Sequence, residues 1–252
     1  MTPVDDSSHS EAEQVFVGLG ANVGDALETL AAAVHVLDDI DGVAVTDVSG
    51  VYRTAPWPPP DDPRAVPQDD YLNLVVCAMC TLDPPDLLGQ AHLIERAFGR
   101  DRASEVRWGP RPLDVDILLF GDRAAEWSTL FGPLTVPHPR LAERAFVLVP
   151  LIEVHPGGSL PDGRRLTRLL MDLGPVDGID LEVRLDDVPG DHVTRPDGPM
   201  AGTATFDRPG VDEIAADHGA QGELEAKSAR QAASQAASQA AKPSGSAGQG
   251  RR

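Results

Sequence analysis

Two aspartates separated by one residue are the part of this sequence best suited to chemistry. Asp114 and Asp116 lie in a segment whose residues alternate from 113 onward as in a strand. The alternation predicts 113, 115, 117 and 119 on one face and 114, 116, 118 and 120 on the other. The two carboxylates then emerge about 7 Å apart, where their hard oxygens suit Mg²⁺. Taken alone, so short a motif favours a solvated edge strand with two surface aspartates.

A basic segment comes immediately before the aspartate pair. Four arginines, Arg100, Arg102, Arg107 and Arg111, fall within residues 100–111 of an otherwise acidic chain. Guanidinium groups bind phosphate oxygens in a fork, so arginines followed by carboxylates suit a polyphosphate with bound Mg²⁺. The alternative is an exposed loop whose arginines pair with nearby acids. The adjacent aspartates favour the phosphate site, and Trp108 adds a flat apolar surface there.

Charge and composition exclude several classes of protein. The net charge of −19 argues against nucleic acid or an anionic membrane as the main partner, because both are bound through clustered Lys and Arg. No apolar run approaches the length of a membrane span, and residues 1–14 are unlike a signal peptide. Cys77 and Cys80 point to opposite faces of an apolar strand and suit buried core thiols better than zinc or redox chemistry. We expect a cytoplasmic protein.

The length of 252 residues suits one domain with a tail. Residues 1–13 lack an apolar periodicity, which predicts a disordered leader. Residues 14–188 contain the apolar pattern of the domain. Residues 231–241 repeat Gln, Ala and Ser with no face to bury, so residues 189–252 predict a disordered low-complexity tail.

Periodicity predicts the elements that position the chemistry. Strands are expected at 15–20, 43–52, 71–81 and 113–120, with a possible last strand at 179–188. Helices are expected at 26–39, capped by Asp25, at 84–98, near 140–144 and at 166–173. Residues 121–133 are predicted to be irregular. The spacing of Glu95 predicts an exposed charge on a helix. The proline-rich loop 53–70 is either a functional lid or a solvated insertion.

One glycine pattern invites a different interpretation. Gly18 and Gly20 lie at the end of the first predicted strand, but a third glycine is missing and no ribose-binding acid follows a parallel second strand. The pattern therefore does not indicate a dinucleotide-binding loop.

Taken together, residues 15 to about 175 resemble the 6-hydroxymethyl-7,8-dihydropterin pyrophosphokinase family. The most specific motif runs from Arg107 through Trp108, Gly109, Pro110 and Arg111 to Asp114 and Asp116. Further matches occur in the same order along the chain, at 18–22, 51–56, 70–73, 94–95 and 135–139.

The resemblance implies a fold and a reaction. The fold would be α+β, an α/β/α sandwich around a mainly antiparallel, ferredoxin-like sheet. The reaction would be transfer of the pyrophosphoryl unit of ATP to the hydroxymethyl oxygen of the pterin, with release of AMP. Two Mg²⁺ ions would serve as cofactors and ATP as co-substrate. No nucleic-acid or membrane partner is implied, and we expect a monomer.

The resemblance also implies roles for individual residues. Asp114 and Asp116 would hold the metal ions, with Asp116 also a candidate base, and Arg100 and Arg111 would bind the phosphates beside them. The other expected contacts with ATP are Glu95, Arg102, Arg107, Ile117, Leu134, Thr135, His138 and Arg144. The expected contacts with the pterin are Thr54, Ala55, Pro56, Tyr71, Asn73, Trp108 and Phe146.

Two other functions remain open at this point. A nucleotidyltransferase also places an Asp-x-Asp pair on a ferredoxin-like sheet, and it would release pyrophosphate in place of AMP. A catalytically silent pterin- or nucleotide-binding protein would bind without turnover.

Overall fold

A computed structural model of the protein describes residues 11–58, 62–176 and 178–187. Its helices are α1 (Ala26–Asp38), α2 (Pro84–Ala97), α3 (Ala145–Val154) and α4 (Leu166–Asp172), with 3-10 turns at Leu141–Glu143 and Leu185–Asp187. Its strands are β1 (Glu13–Ala21), β2 (Val43–Val48), β3 (Val51–Thr54), β4 (Tyr71–Cys80), β5 (Asp114–Phe120), β6 (Ala125–Thr129), β7 (Gly132–Val136) and β8 (Ile179–Val183). Residues 1–10 of the predicted leader and the whole predicted tail lie outside the described residues.

The main sheet has the order β5-β1-β4-β3-β8, and β2 also pairs with β4. The strand pairings within it are antiparallel, which confirms the α+β class and the antiparallel sheet. As its apolar faces predicted, β4 is central, because β1 lies on one side and β2 and β3 lie on the other. Within the described ranges, no helix is both long and apolar enough to span a membrane.

Two hydrophobic clusters cover the two faces of this sheet. Val15 and Val17 of β1 face the cluster that contains α1 and α2, whereas Phe16 faces the cluster that contains α3 and α4. Cys80 belongs to the first cluster and Cys77 to the second, so the two thiols are buried on opposite faces as predicted. Burial raises the pKa of both thiols, which suits a core role and not a reactive one.

The predicted strand at 43–52 is wrong in one respect, because the structure divides it into β2 and β3. The break lies at Ser49, which is buried. Its backbone N–H donates to the carbonyl of Val75 at 2.9 Å, and its hydroxyl accepts from the Val75 N–H at 2.9 Å. The serine hydroxyl thus takes the place of a backbone acceptor at the break between the two strands. Both β2 and β3 pair with β4.

The irregular stretch predicted at 121–133 is also wrong, since β6 and β7 form a hairpin over most of it. Phe131 at the hairpin tip lies against Gly89 of α2, where an added Cβ would approach the ring to 2.9 Å. The absence of a side chain at Gly89 therefore admits the ring. The predicted last strand is shorter than expected, because β8 ends at Val183 and is followed by a 3-10 turn.

The strict alternation predicted for residues 113–120 holds only in part. The register between β1 and β5 shifts between Phe16 and Val17, which leaves Leu118 as an extra residue in β5. Leu118 and Leu119 consequently lie in one cluster, and Phe120 joins the opposite cluster with Val115. A bulge of this kind changes the facing of the residues beyond it, and the aspartates, which precede it, keep their shared face.

Candidate active site

The aspartate pair lies at one end of the sheet, beside the two glycines of β1. Asp116 pairs with Gly18 and Asp114 with Gly20 in the register of β1 and β5. On the other side of β1, Gly20 pairs with Asn73 of β4. These five residues line one cleft. An added Cβ on Gly20 would lie 2.9 Å from the Asn73 side-chain oxygen, so the glycine keeps the floor of the cleft open.

The two carboxylates differ in their partners. Asp114 accepts from Arg111 at 2.6 Å and also from Arg100. Burial opposes its ionisation, but Arg111 and Arg100 outweigh that effect and hold its pKa below the usual value. Asp116 has more distant cations, with Arg144 Nη1 at 3.7 Å and His138 Nε2 at 3.9 Å. Burial and the Asp114 charge raise the pKa of Asp116 to about 7.

Behind the aspartates lies a buried group of ion pairs around Glu95. The prediction for this residue is wrong. Glu95 is 1% exposed, not an exposed helix charge. Its carboxylate accepts from the Val115 N–H at 3.0 Å and from Arg100, and Arg102 Nη2 donates to it at 2.6 Å. Burial raises the pKa of Glu95 even against these cations. Glu95 thus fixes Arg100 and β5 against α2.

The arginines of the basic segment are not an exposed loop throughout. Arg100 is 5% exposed and pairs with Glu95, Glu105 and Asp114. Arg111 lies nearer the cleft and lines it. Arg100 and Arg111 therefore pair with nearby acids and lie beside the aspartate pair, and phosphate binding by this segment stays a prediction.

Two arginines of this segment lie farther out. Arg102 has a side chain that is 46% exposed and is held by Glu95. The Arg107 guanidinium carbon lies 4.8 Å from the centre of the Trp108 ring. Neither residue lines the cleft in this structure, although both expected phosphate contacts remain predictions.

His138 and Arg144 flank the far side of Asp116. The Arg140 N–H donates to His138 Nδ1 at 3.2 Å, so a neutral ring carries its proton on Nε2, which faces Asp116. Burial and then the Arg144 charge lower the pKa of His138 to about 4. The ring is therefore neutral at physiological pH and presents one N–H donor toward the aspartate. The turn at Leu141–Glu143, predicted as a short helix near 140–144, leads from His138 to Arg144.

Most of the expected pterin contacts line the same cleft as the aspartate pair. Thr54, Ala55, Tyr71, Asn73, Trp108 and Phe146 all line it. Asn73 Nδ2 donates to the Thr54 hydroxyl at 2.8 Å, and the Tyr71 hydroxyl donates to the Gly109 carbonyl at 3.0 Å. Pro56 follows in the loop but does not line the cleft. The structure thus brings together three aromatic rings and one fixed amide.

Three other expected ATP contacts, Ile117, Leu134 and Thr135, do not line the cleft. Ile117 and Leu134 are 3% and 6% exposed and belong to the core between the sheet and α2. Their side chains face the core, so contacts with a nucleotide would fall to their backbone. Thr135 is half-buried in β7.

Several residues that line the cleft were not singled out by the sequence: Gly18, Gly20, Trp57, Leu118, Arg140 and Val147. The two glycines belong to the matched segment 18–22, but no site role was predicted for them, and a nucleotide-loop role was rejected. Their spacing of two in a strand did place both on one face, which was the signal available. Arg140 and Val147 carried no such signal, because their position depends on the turn and helix that follow β7.

The donors present fit magnesium. Among the described residues, no group of three or more His, Cys, Asp or Glu side chains could hold a metal ion by itself. Mg²⁺ is commonly bound by one or two carboxylates together with substrate phosphates and water. Asp114 and Asp116 supply two such carboxylates on one face. Burial, together with the Asp114 charge, raises the pKa of Asp116, and a bound cation would offset both effects.

Comparisons with known proteins bear on the family of this chain. A model of the 7,8-dihydro-6-hydroxymethylpterin-pyrophosphokinase family matches residues 16–156. A Synechocystis protein named 2-amino-4-hydroxy-6-hydroxymethyldihydropteridine pyrophosphokinase is 37% identical over 172 residues, covering 68% of this chain and 82% of the relative. A Pseudomonas aeruginosa protein of the same name is 38% identical and is covered over 96% of its length, with 67% of this chain.

Solved structures support the fold. The crystal structure of wild-type Plasmodium falciparum HPPK-DHPS aligns with a TM-score of 0.52 and 14% identity. The alignment covers 66% of this chain and 45% of that longer chain, so this chain spans less than half of it. At this identity the likeness concerns the fold alone. From the family model and the relatives, the chain belongs to the 7,8-dihydro-6-hydroxymethylpterin-pyrophosphokinase family.

Proposed function

We propose that this chain transfers the pyrophosphoryl unit of ATP to the hydroxymethyl oxygen of 6-hydroxymethyl-7,8-dihydropterin and releases AMP, a step of folate biosynthesis. The observation that carries the proposal is the shared cleft. Its lining includes Asp114, Asp116 and Arg111, and also aromatic rings and the Asn73 amide. Charge for a polyphosphate and a flat polar-edged pocket for a heterocycle therefore adjoin.

The aromatic residues of the cleft suit the acceptor. Tyr71, Trp108 and Phe146 line the cleft, and aromatic rings can stack on a planar pterin. Asn73 has its Nδ2 engaged by Thr54, and its side-chain oxygen lies over Gly20, where it is available to accept a hydrogen bond from the pterin edge. Backbone groups near Thr54 and Ala55 complete the recognition.

The charged residues of the cleft suit the triphosphate. Arg111 and Arg144 line the cleft on either side of the aspartates, and Arg100 lies behind Asp114. The neutral His138 adds an N–H donor. Because phosphoryl transfer demands little covalent chemistry from the protein, positioning and charge neutralisation carry most of the catalysis.

Asp114 and Asp116 would hold the magnesium, and we infer two ions. Bound there, the metal would neutralise charge on the phosphate oxygens during transfer. The residues that line the cleft would orient the acceptor hydroxyl, and the Trp108 ring would exclude water. Asp116 is also the side chain that we propose to take the hydroxyl proton.

The direct test is a product assay. Purified protein with ATP, Mg²⁺ and the hydroxymethyl dihydropterin is expected to yield AMP and the pterin diphosphate, measured by anion-exchange chromatography. An Asp116→Ala variant serves as the control for a contaminating activity. Formation of ADP, release of pyrophosphate, or binding without turnover would each contradict the proposal, and pyrophosphate release would indicate a nucleotidyltransferase.

Several finer features belong to the same proposal. The helices on the two faces of the sheet support an α/β/α sandwich of the ferredoxin-like kind. We propose a catalytic domain at 14–188, a monomeric state and a cytoplasmic location. Sedimentation analysis tests the monomer, and limited proteolysis tests the domain bounds.

A further inference from the structure

Gln68 connects two loops that meet above the cleft. Its Oε1 accepts from Asn22 Nδ2 at 3.0 Å, and its Nε2 donates to the backbone carbonyl of Trp108 at 2.6 Å. Gln68 lies in the proline-rich loop before β4, whereas Trp108 lies in the arginine loop before β5. Both ends of one amide are thus engaged, one toward the end of β1 and one toward the other loop.

The Asn22 end of this connection is firmly held. Asn22 is 7% exposed, and its side chain also donates to the Asp69 carbonyl at 2.9 Å and accepts from the Arg111 N–H at 2.8 Å. Its own backbone N–H donates to the Arg111 carbonyl at 3.1 Å. Gln68 is therefore anchored on a buried residue that follows β1 directly.

The Trp108 end is the one that needs support. Trp108 has a φ of 67°, and it is the non-glycine residue with positive φ in the part of the chain that the structure describes. A bulky side chain disfavours this left-handed conformation, which persists only where surrounding contacts enforce it. The carbonyl of Trp108 is held by Gln68 and the next carbonyl, that of Gly109, by Tyr71.

We propose that Gln68 is a positioning residue for the acceptor: it holds Trp108 in the left-handed conformation so that the indole lines the cleft in which we propose that the pterin binds. The inference rests on the proposed function only for the identity of the acceptor. Gln68 itself does not line the cleft, so it acts through Trp108. Loss of the hydrogen bond should release the ring and weaken acceptor binding more than nucleotide binding.

A spectroscopic test follows the indole directly. Protein labelled with 5-fluorotryptophan contains three fluorinated rings, at 57, 108 and 127, and a Trp108→Phe variant assigns the resonance of Trp108. Gln68→Ala is expected to shift and broaden that resonance in the unliganded protein and to leave the core-packed Trp127 resonance in place. An unchanged Trp108 resonance would overturn the proposal.

A kinetic test separates positioning from general damage. We expect Gln68→Ala to raise the KM for the pterin about fivefold, as loss of one hydrogen bond implies, with a change in the KM for ATP of less than about twofold. Gln68→Glu keeps the acceptor toward Asn22 but cannot donate to the Trp108 carbonyl, and it should behave like the alanine variant.

Arg64→Ala is the matched control, because Arg64 is exposed in the same loop and pairs only with nearby Asp62 in the contacts described. It should leave both KM values and the Trp108 resonance unchanged. Equal increases in both KM values for Gln68→Ala would overturn the proposal. Absence of turnover in the unmodified protein would instead overturn the proposed function, and the fluorine resonances would still decide the role of Gln68.

Discussion

Glu105 holds Arg100 through both of its carboxylate oxygens, at 3.0 and 3.1 Å from the same guanidinium nitrogen. Glu105 Oε1 also lies 2.7 Å from Arg111 Nε. One carboxylate therefore hydrogen-bonds Arg100 and forms an ion pair with Arg111, the two arginines that we propose to bind phosphate. A carboxylate and a phosphate offer these groups similar paired oxygens, so we expect Glu105 to compete with the nucleotide.

Replacing Glu105 by glutamine should therefore tighten nucleotide binding. We expect the Kd for a non-hydrolysable ATP analogue to fall about three- to tenfold, since charge-assisted hydrogen bonds contribute on the order of 1.5–3 kcal/mol and this one is partly screened. Calorimetry without the pterin measures the change. Asp101→Asn makes the same charge change at a fully exposed position of the same loop. Equal effects of the two variants would mean that general charge, not the contact, is responsible.

Removal of the Asp116 carboxylate should separate catalysis from nucleotide binding. Asp116→Ala is expected to abolish turnover, a loss of at least about 10³-fold, because a metal ligand and candidate base is lost. Binding of ATP should largely survive, since Arg100, Arg111 and Arg144 remain. Single-turnover AMP formation and ATP calorimetry measure the two effects, and full activity in the variant would contradict the metal assignment.

The raised pKa of Asp116 predicts how magnesium binding depends on pH. Burial and Asp114 place this pKa at about 7 without a cation, and only the ionised carboxylate is a metal ligand. The Mg²⁺ affinity measured with a bound ATP analogue should therefore fall as the pH drops from about 8 to about 6, and binding should release protons. Calorimetry in buffers of different ionisation enthalpy measures that release, which Asp116→Asn should diminish.

The raised pKa of Asp116 also predicts how the stability of the folded protein depends on pH. The folded carboxyl binds its proton more tightly than the unfolded one, which titrates near 3.8. Between about pH 4 and about pH 7 the folded state therefore holds more protons, and the contribution of this group to the stability of the metal-free protein declines as the pH rises. Urea unfolding should show this slope in the unmodified protein and less of it in Asp116→Asn, and an equal pH dependence of stability in the two proteins would contradict the shift.

The open floor of the cleft predicts a specific effect at Gly20. A Cβ there would lie 2.9 Å from the Asn73 side-chain oxygen, whereas at Gly18 the nearest atom is the end of the Leu118 side chain at 3.4 Å. Gly20→Ala should displace Asn73 and raise the KM for the pterin about tenfold, as loss of one or two hydrogen bonds implies. Gly18→Ala is the comparison, and steady-state kinetics should rank it as the milder change.

Local pattern determined much of this protein. Alternation placed Asp114 and Asp116 on one face, helical periodicity located α1 and α2, and the order of motifs led to the family. These features depend on neighbours in the chain, so the sequence alone carries them.

Tertiary structure decided the rest, because it depends on which segments meet. Glu95 has the spacing of an exposed helix residue, yet it is buried because Arg100, Arg102 and the Val115 N–H converge on it from later segments. The bulge at Leu118 arises from pairing with β1. The bridge from Asn22 through Gln68 to Trp108 joins three segments distant in sequence. A local periodicity does not predict such contacts, because they form only when folding brings distant segments together.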